Sequence, residues 1–460
     1  MSLNFVSITI KPIKTFHDRK NVLKISPALA SYWKINVGSD YTLNISTKQI
    51  KMKIEVSDLK NNEVQLSTQF LSELSFPINQ MNLFAQINHT TNTIYFAPII
   101  ALMTEIVIID REKPYFRSIH TFCEEIQELI SQYGGFFFIF QIQDIRKEGI
   151  IGYYFDQEQW VKSLLPFPNV VYNRIHSRLI EAHPFAQAKL EILRELNIPI
   201  FNQGFFSKWE IHQLISSNEI LKSFLPTTEL LTEQNLEEFL TNHQDIYLKP
   251  THGSLGRNII HLCMRENRIY ADHSIEKSEM NPQQFSDVSQ AFKWLEPYIQ
   301  NRTYLMQKTV PLLKYRDRPV DFRVLVNKNF QQKWIMTSIV ARISAPNQLV
   351  SNIARGGQIV NAEQTLSELF NPETSVQILS LMKELAIEVA TFISNERKNA
   401  FCCELGIDMG VDEQSRLWII EVNSKPSKKD KTHDEKIRPS AKAIIECCYS
   451  LAFQHIKNEG

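Results

Sequence analysis

Three stretches of this chain carry residue types that do chemistry, at spacings a strand can use. In Trp418-Ile419-Ile420-Glu421-Val422-Asn423, Glu421 and Asn423 share one face of a strand, roughly 7 Å apart along it, because alternate residues point the same way. Glu404 and Asp408 share a face of the preceding predicted strand. A hairpin with its loop between Gln414 and Ser415 would set Asp408 directly opposite Glu421, with Cβ atoms about 5 Å apart. Two carboxylates that close resist joint ionisation unless a cation joins them. Two carboxylates and an amide, completed by water and phosphate oxygens, suit Mg²⁺. The competing reading is a surface hairpin with solvated acids. The apolar Leu417, Ile419, Ile420 and Val422 weigh against it, since they imply two largely buried faces.

The second stretch, Lys249-Pro250-Thr251-His252-Gly253-Ser254-Leu255-Gly256-Arg257, lies between two predicted strands. It is therefore a hairpin loop and not a Walker A loop, which needs a helix after its lysine. Small residues let backbone N–H groups approach anionic oxygens, and Lys249 adds a point charge. An ordinary glycine turn is the plain alternative. The third stretch is Asp321-Phe322-Arg323, preceded by Arg316 and Arg318 and followed by Arg342 and by Asn352-Ile353-Ala354-Arg355-Gly356-Gly357. Arginines converging on a Gly-Gly loop make an anion site, although each alone would read as a surface arginine. Six of the 13 glycines (253, 256, 356, 357, 406 and 410) fall in these regions, which argues against three accidents.

The elements that must position these residues follow from periodicity. Residues 1–105 show short alternating runs broken by Asn, Gly, Asp and Pro, the mark of a β-rich domain. An offset of 41 positions matches Ile25, Ser26, Leu29, Trp33, Ile35 and Val37 to Leu66, Ser67, Phe70, Leu74, Phe76 and Ile78. Two interleaved strand–helix–strand copies would resemble a double-psi β-barrel, with chance similarity as the competitor. Residues 106–200 alternate strand and helix. Ile106–Ile109 reads as a first strand, Phe122, Ile126, Leu129 and Ile130 as a helix, and Phe136–Phe140 as a buried strand after Gly134-Gly135. That order favours a parallel crossover in a small α/β domain. The segment Val170-Val171-Tyr172-Asn173-Arg174-Ile175 reads as a strand end whose Asn173 and Arg174 either face a cleft or sit in an exposed loop. Residues 201–455 form the largest unit. Its strand-like runs lie near 245–249, 258–263, 304–307, 320–326, 334–343, 402–411 and 416–423, with a long helix near 373–396 striped by Val376, Leu379, Leu385, Val389 and Phe392.

In this order the residues resemble the ATP-grasp fold, over roughly residues 201–430, and most closely its branch of glutathione-synthetase-like and ribosomal-modification ligases. The whole chain, including IFNQGFFSKW, LPFPNVVYNRI and EVNSKP, further resembles the YheC/YheD family of endospore coat-associated proteins. The resemblance implies an α+β or α/β chain: a β-rich domain, an α/β pre-ATP-grasp domain and the ATP-grasp domain. It implies that Lys249 and Lys208 hold phosphates, that His252, Gly253, Ser254 and Gly256 close over them, and that Gln307, Lys308, Thr309 and Val310 form the hinge at adenine. Asp321 joins the nucleotide site. Asp408, Glu421 and Asn423 would bind one or two Mg²⁺, Arg323 and Arg342 would stabilise the transferring phosphoryl group, and Asn352 and Arg355 would face an acyl phosphate. The activity so implied is ATP-dependent joining of a carboxylate to an amine, on small molecules or peptides, with spore coat proteins as partners. A structural coat protein or a phosphotransferase on the same scaffold are the alternatives.

Composition sets outer limits. At 43% apolar and 22% charged, the 460 residues read as a globular protein of two or three domains. Fifty basic residues balance fifty acidic ones, so no overall field favours nucleic acid or an anionic membrane. No apolar run approaches the roughly 20 residues of a membrane span, and no signal segment is evident, so a cytoplasmic location is expected. The six cysteines lack CxxC spacing and read as buried thiols in a reducing compartment. The lysine-rich stretch from Ser427 to Arg438 reads as solvated surface.

Overall fold

The computed structural model describes residues 5–14, 21–109, 113–253, 257–273, 283–345, 357–397, 401–428 and 437–454. The chain opens with two copies of one unit. The first is β1 (Val6–Ile13), β2 (Val22–Ile25), α1 (Pro27–Tyr32) and β3 (Tyr41–Ile45); the second is β4 (Lys48–Val56), β5 (Glu63–Ser67), α2 (Thr68–Glu73) and β6 (Met81–Asn88). The 41-residue offset is realised at the helix caps. Leu29 N–H donates to Ser26 Oγ and Phe70 N–H to Ser67 Oγ, both at 3.1 Å, so equivalent hydroxyls start equivalent helices. Each copy lends its first strand to the other: β1 pairs in parallel with β5, and β4 with β2. With β7 (Thr93–Ala97), a seven-stranded barrel closes in the order β1-β5-β2-β4-β3-β7-β6.

The next sheet begins at once with β8 (Ile99–Met103), wholly buried. Here the expectation for Ile106–Ile109 is corrected. β9 (Val107–Ile109) and β10 (Lys113–Tyr115) form a separate exposed ribbon, and the strand that crosses over through α3 (His120–Tyr133) to β11 (Phe136–Ile145) is β8. The run Ile99–Met103 follows so closely on the barrel that sequence merges it with the barrel strands. β12 (Ile150–Asp156), β13 (Gln159–Leu165), β14 (Val170–Asn173), α4 (Arg178–Ala182), α5 (Pro184–Glu195) and β15 (Ile200–Phe201) complete the sheet β13-β12-β11-β8-β14-β15.

Two six-stranded antiparallel layers follow. α6 (Lys208–Ser216) leads into β16 (Thr228–Leu230), α7 (Glu233–His243), β17 (Asp245–Pro250), β18 (Ile260–Arg265), β19 (Arg268–His273), β20 (Gln283–Phe285), α8 (Val288–Ile299) and β21 (Tyr304–Lys308), with strand order β16-β21-β17-β18-β19-β20. Then come β22 (Lys314–Tyr315), β23 (Arg318–Lys328), β24 (Trp334–Ile343), β25 (Gln358–Asn361), α9 (Ala362–Leu369), α10 (Pro372–Glu396), β26 (Glu404–Val411), β27 (Leu417–Asn423) and α11 (Pro439–Ala452), with order β25-β24-β23-β26-β27 and with β22 paired to β23. α10 buries Ile378, Met382, Leu385, Ala386, Val389, Ala390 and Ile393. Val376, expected in its stripe, is 64% exposed, because the buried stripe runs through its neighbour Ser375 and then Ile378.

α11 returns to the α/β sheet, where Ile444, Ile445 and Cys448 share a core with Phe122 and Ile126 of α3. All six cysteines are buried, as expected, but Cys403 and Cys447 are paired as a disulfide with Cα atoms 6.6 Å apart. Sequence spacing could not show that α11 folds back onto the start of β26. No helix among the described residues is long and apolar enough to cross a membrane.

Candidate functional site

β23, β26 and β27 are neighbours, and their register sets Arg323 opposite Asp408 and Asp408 opposite Glu421, one row across three strands. Two residues to one side, Arg342 faces Asp321; two to the other, Gly406 faces Asn423. The expected hairpin is therefore present, with its turn at Asp412–Arg416 and a bulge after Asp408. Gly406 is required by crowding: a Cβ there would lie 2.8 Å from Pro426 Cβ and 3.4 Å from Arg323 Cδ.

The row is an ion-pair lattice. Arg323 holds Asp408 with both Nε and Nη2, the latter at 3.0 Å. Arg342 donates to Asp321 at 2.6 and 2.8 Å, and its Nη2 lies 3.1 Å from Asp408 Oδ2. Asn423 Nδ2 is 3.5 Å from the same oxygen. Burial pushes the Asp408 carboxyl up, but Arg323 and Arg342 outweigh it and hold it below the ordinary value. Burial likewise works against the Arg342 charge, and Asp321 and Asp408 more than restore it. Lys208, first residue of α6, reaches Glu421 Oε1 at 2.5 Å and Gly253 O at 3.4 Å. The two carboxylates thus escape mutual repulsion through arginine and lysine, where the sequence argument invoked a metal alone.

Across a cleft stands the other sheet. Lys249 on β17 donates to Gln307 Oε1 at 2.5 Å, and Gln307 Nε2 donates to Thr228 Oγ1 at 3.1 Å. Burial lowers Lys249 to about 8, against the pull of Glu421. The cleft is lined by Ile211, Ile215, Leu225, Leu305 and Ile419 and ends at Lys208, Lys249 and Glu421. An apolar slot with convergent charges at one end is the usual form of a small-molecule site. Lys308 N–H donates to Thr227 O and Thr309 N–H to Asp245 O, after which Val310 leads to Leu313, whose N–H donates to Val411 O on the opposite sheet. This segment is the strap joining the two layers.

The structure thus gathers Lys208, Lys249, Gln307, Asp321, Arg323, Arg342, Asp408, Glu421 and Asn423 about one cleft. His252 is not among the residues lining the cleft; its Nδ1 lies 2.8 Å from Arg178 Nη1. Ser254, Gly256, Asn352 and Arg355 lie outside the described residues. Sequence reading missed Arg178, whose charge feels Glu421, and the buried network behind β26. There Tyr172, Arg174 and Lys428 surround the fully buried Glu404. Lys425 reaches Glu181 Oε2 at 2.8 Å and Asn173 Oδ1 at 3.3 Å. Asn173 and Arg174 are buried and belong to no exposed loop. Lys428 and Arg438 are buried too, paired with Glu404 and Glu125, so of the lysine-rich stretch's described residues Ser427 is exposed but these two cations are not solvated. The hint was available in VVYNRI, where polar residues continue an apolar strand.

A family model described as YheC/D-like ATP-grasp matches residues 197–451, more than half the chain. The chain belongs to the YheC/D-like ATP-grasp family. It is similar to the endospore coat-associated protein YheD of Bacillus subtilis (strain 168), at 29% identity over 392 residues and 84% of each chain. It is also similar to YheC of the same organism, at 21% identity over 309 residues, covering 67% of this chain and 83% of that one. Among solved structures, the ATP-grasp ligase PsnB in complex with its minimal precursor, Mg and ADP aligns at TM-score 0.43 and 10% identity, over 76% of this chain and 98% of that one. The matched residues span the two antiparallel layers and α11, and the seven-stranded barrel lies N-terminal to them.

Proposed function

We propose that this YheC/D-like chain is a Mg-ATP-dependent carboxylate–amine ligase that works through an acyl phosphate. The observation that supports it is the row Arg323–Asp408–Glu421 placed at the charged end of an apolar cleft, with Lys208 and Lys249 on its rim. The apolar walls would take the adenine, with backbone groups of Gln307 to Val310 at its edge. Lys249 and Lys208 would bind phosphates, and the loop from His252 to Gly256 would cover them. Glu421, partly exposed, with Asp408 opposite it and Asn423 two residues on, would hold the ion in place of their present cation partners. Phosphate and water oxygens must complete such a site, as suits Mg²⁺, whose chemistry there would be neutralisation of phosphate charge.

Arg323 and Arg342 are fixed by Asp408 and Asp321 before any substrate arrives, and their preorganised charge would stabilise a transferring phosphoryl group. A substrate carboxylate would attack the γ-phosphorus, releasing ADP, and an amine would then displace phosphate from the acyl phosphate to leave an amide. Asn352 and Arg355 are assigned to that intermediate. The substrates are carboxylate- and amine-bearing small molecules or peptides. The two named relatives support a role in spore coat formation, with coat proteins as partners. Residues 1–105 are read as a double-psi barrel, because each repeat lends a parallel strand to the other, and 106–200 as the domain preceding the grasp at 201–455.

The test is incubation of the full chain with Mg-ATP and a metabolite pool from sporulating cells, followed by mass spectrometry. A new amide with stoichiometric ADP and phosphate is expected. A phosphorylated product would make it a phosphotransferase. ATP binding without turnover would favour a structural coat protein, a reading that the ready pairing of both carboxylates with cations also suits.

A further inference from the structure

Away from the cleft, Ser118 lies on the short turn Arg117–Ile119 that leads into α3. Its Oγ is 3.1 Å from His176 Nε2, and the other ring nitrogen, Nδ1, is 3.0 Å from Glu105 Oε2. Glu105 follows β8 and His176 follows β14, and these strands are parallel neighbours. Both residues therefore stand at the carboxyl ends of adjacent parallel strands, the crevice where open α/β sheets bind ligands.

Glu105 is held on all sides. Its Oε1 accepts the backbone N–H of His176 at 3.2 Å and of Ser177 at 3.1 Å, and its Oε2 accepts the His176 N–H at 3.0 Å. Burial pushes this carboxyl up, yet the hydrogen bonds from His176 prevail and hold it at about 2. An ionised Glu105 takes the proton on Nδ1, which leaves Nε2 bare and facing the Ser118 hydroxyl. Exposure is graded in the same order: the Glu105 side chain is 14% exposed, that of His176 31%, and Ser118 faces solvent. A partly buried orienting acid, a more exposed base and an accessible hydroxyl are the three parts of a nucleophilic relay, recognised by geometry and not by chain order. α3, 14 residues long and without a side-chain cap at its start, brings the positive end of its dipole beside Ser118. The ribbon β9–β10, which links Glu105 to Ser118, exposes Val107, Ile108, Ile109 and Tyr115, an apolar surface next to the relay in the chain.

We propose that Ser118, His176 and Glu105 form a second active site, a serine esterase for esters with an apolar acyl group, independent of ATP. Ser118 Oγ bonds to the ester carbonyl carbon as its proton passes to His176 Nε2. The bond to the alcohol oxygen then breaks, and that proton leaves with the alcohol. Water, giving its proton to the same nitrogen, cleaves the acyl-serine ester, so the carboxylic acid departs and the hydroxyl is restored. Ser118 and His176 are catalytic residues; Glu105 is a positioning residue.

The experiment uses the full chain without ATP or Mg²⁺, offered p-nitrophenyl acetate and octanoate, and separately a fluorophosphonate probe followed by peptide mass spectrometry. One phosphonyl adduct on Ser118 is expected, with octanoate turned over at the higher kcat/KM. Ser118→Ala and His176→Ala should each lose about 100-fold or more. Glu105→Gln should lower kcat with KM unchanged and Glu105→Asp should recover part of it, a split that a merely structural acid would not give. Ser217→Ala should match the wild type. An unlabelled Ser118 in the wild-type chain, or full hydrolysis by Ser118→Ala, overturns the site whatever the other variants do. A preference for acetate overturns the apolar acyl assignment.

Discussion

Lys249 and Asp408 show how a single environment sets what a residue can do. Burial holds Lys249 at about 8, so its charge is lost as pH rises through that value, while a bound phosphate favours the charged form. ATP affinity should therefore weaken by about tenfold between pH 7 and 9, and Lys249→Met should bind weakly with no such slope, as isothermal titration would read. Asp408 is the reverse case. Its side chain is 8% exposed and shared by two nearly buried arginines, so Asp408→Asn leaves Arg323 without its counter-charge and Arg342 with Asp321 alone. A loss of about 3–5 kcal/mol in chemical denaturation is expected. Because its folded value is depressed, the carboxylate stabilises the fold above its unfolded value of about 3.9, and that contribution fades as pH falls below it. The gap between wild type and Asp408→Asn should thus be constant near neutrality and shrink below about pH 4. Glu421→Ala is gentler on the fold, since Lys208 remains partly solvated, yet it should lose Mg-ATP binding.

The strands matter because they turn these residues into one surface. β26 is buried along its whole length and carries glycine at both positions flanking Asp408 on its face. At Gly410 an added Cβ would meet the tip of Leu312, which can swing aside. At Gly406 it would meet the rigid Pro426 ring at 2.8 Å and crowd Arg323. Gly406→Ala should therefore cut ADP formation in the presence of substrates several-fold while costing only about 1–3 kcal/mol of stability. A wild-type rate with unchanged melting would show that Arg323 needs no such clearance. The same logic explains the strap at Gln307–Val310: its N–H groups at 308 and 309 are committed to the protein, so it enters the opposite sheet at a fixed place.

Over the whole molecule, the α/β sheet and the ATP-grasp layers are clasped through Lys425, just beyond Asn423. Lys425 and Glu181 are each 5% exposed, and Asn202 of the linking segment donates to Glu404 O at 3.0 Å and Ser424 O at 2.7 Å. Lys425→Ala or Glu181→Gln alone should each cost about 3–5 kcal/mol, and a double variant with apolar residues less than their sum, in a double-mutant cycle read by denaturation. Additive losses would mean that no clasp exists. The sequence by itself determined what depends on near neighbours along the chain. The hairpin register that pairs Asp408 with Glu421 follows from strand alternation and turn position, and the 41-residue repeat from serine caps and apolar period. Tertiary structure alone decided contacts between residues far apart in sequence. Arg323 and Lys208 neutralise the two carboxylates, α11 brings Cys447 to Cys403, Lys428 is buried, and Ser118 meets His176. Alternation and capping repeat every few residues and leave a local pattern, whereas a pairing between distant segments depends on how whole layers stack, and no local period records it.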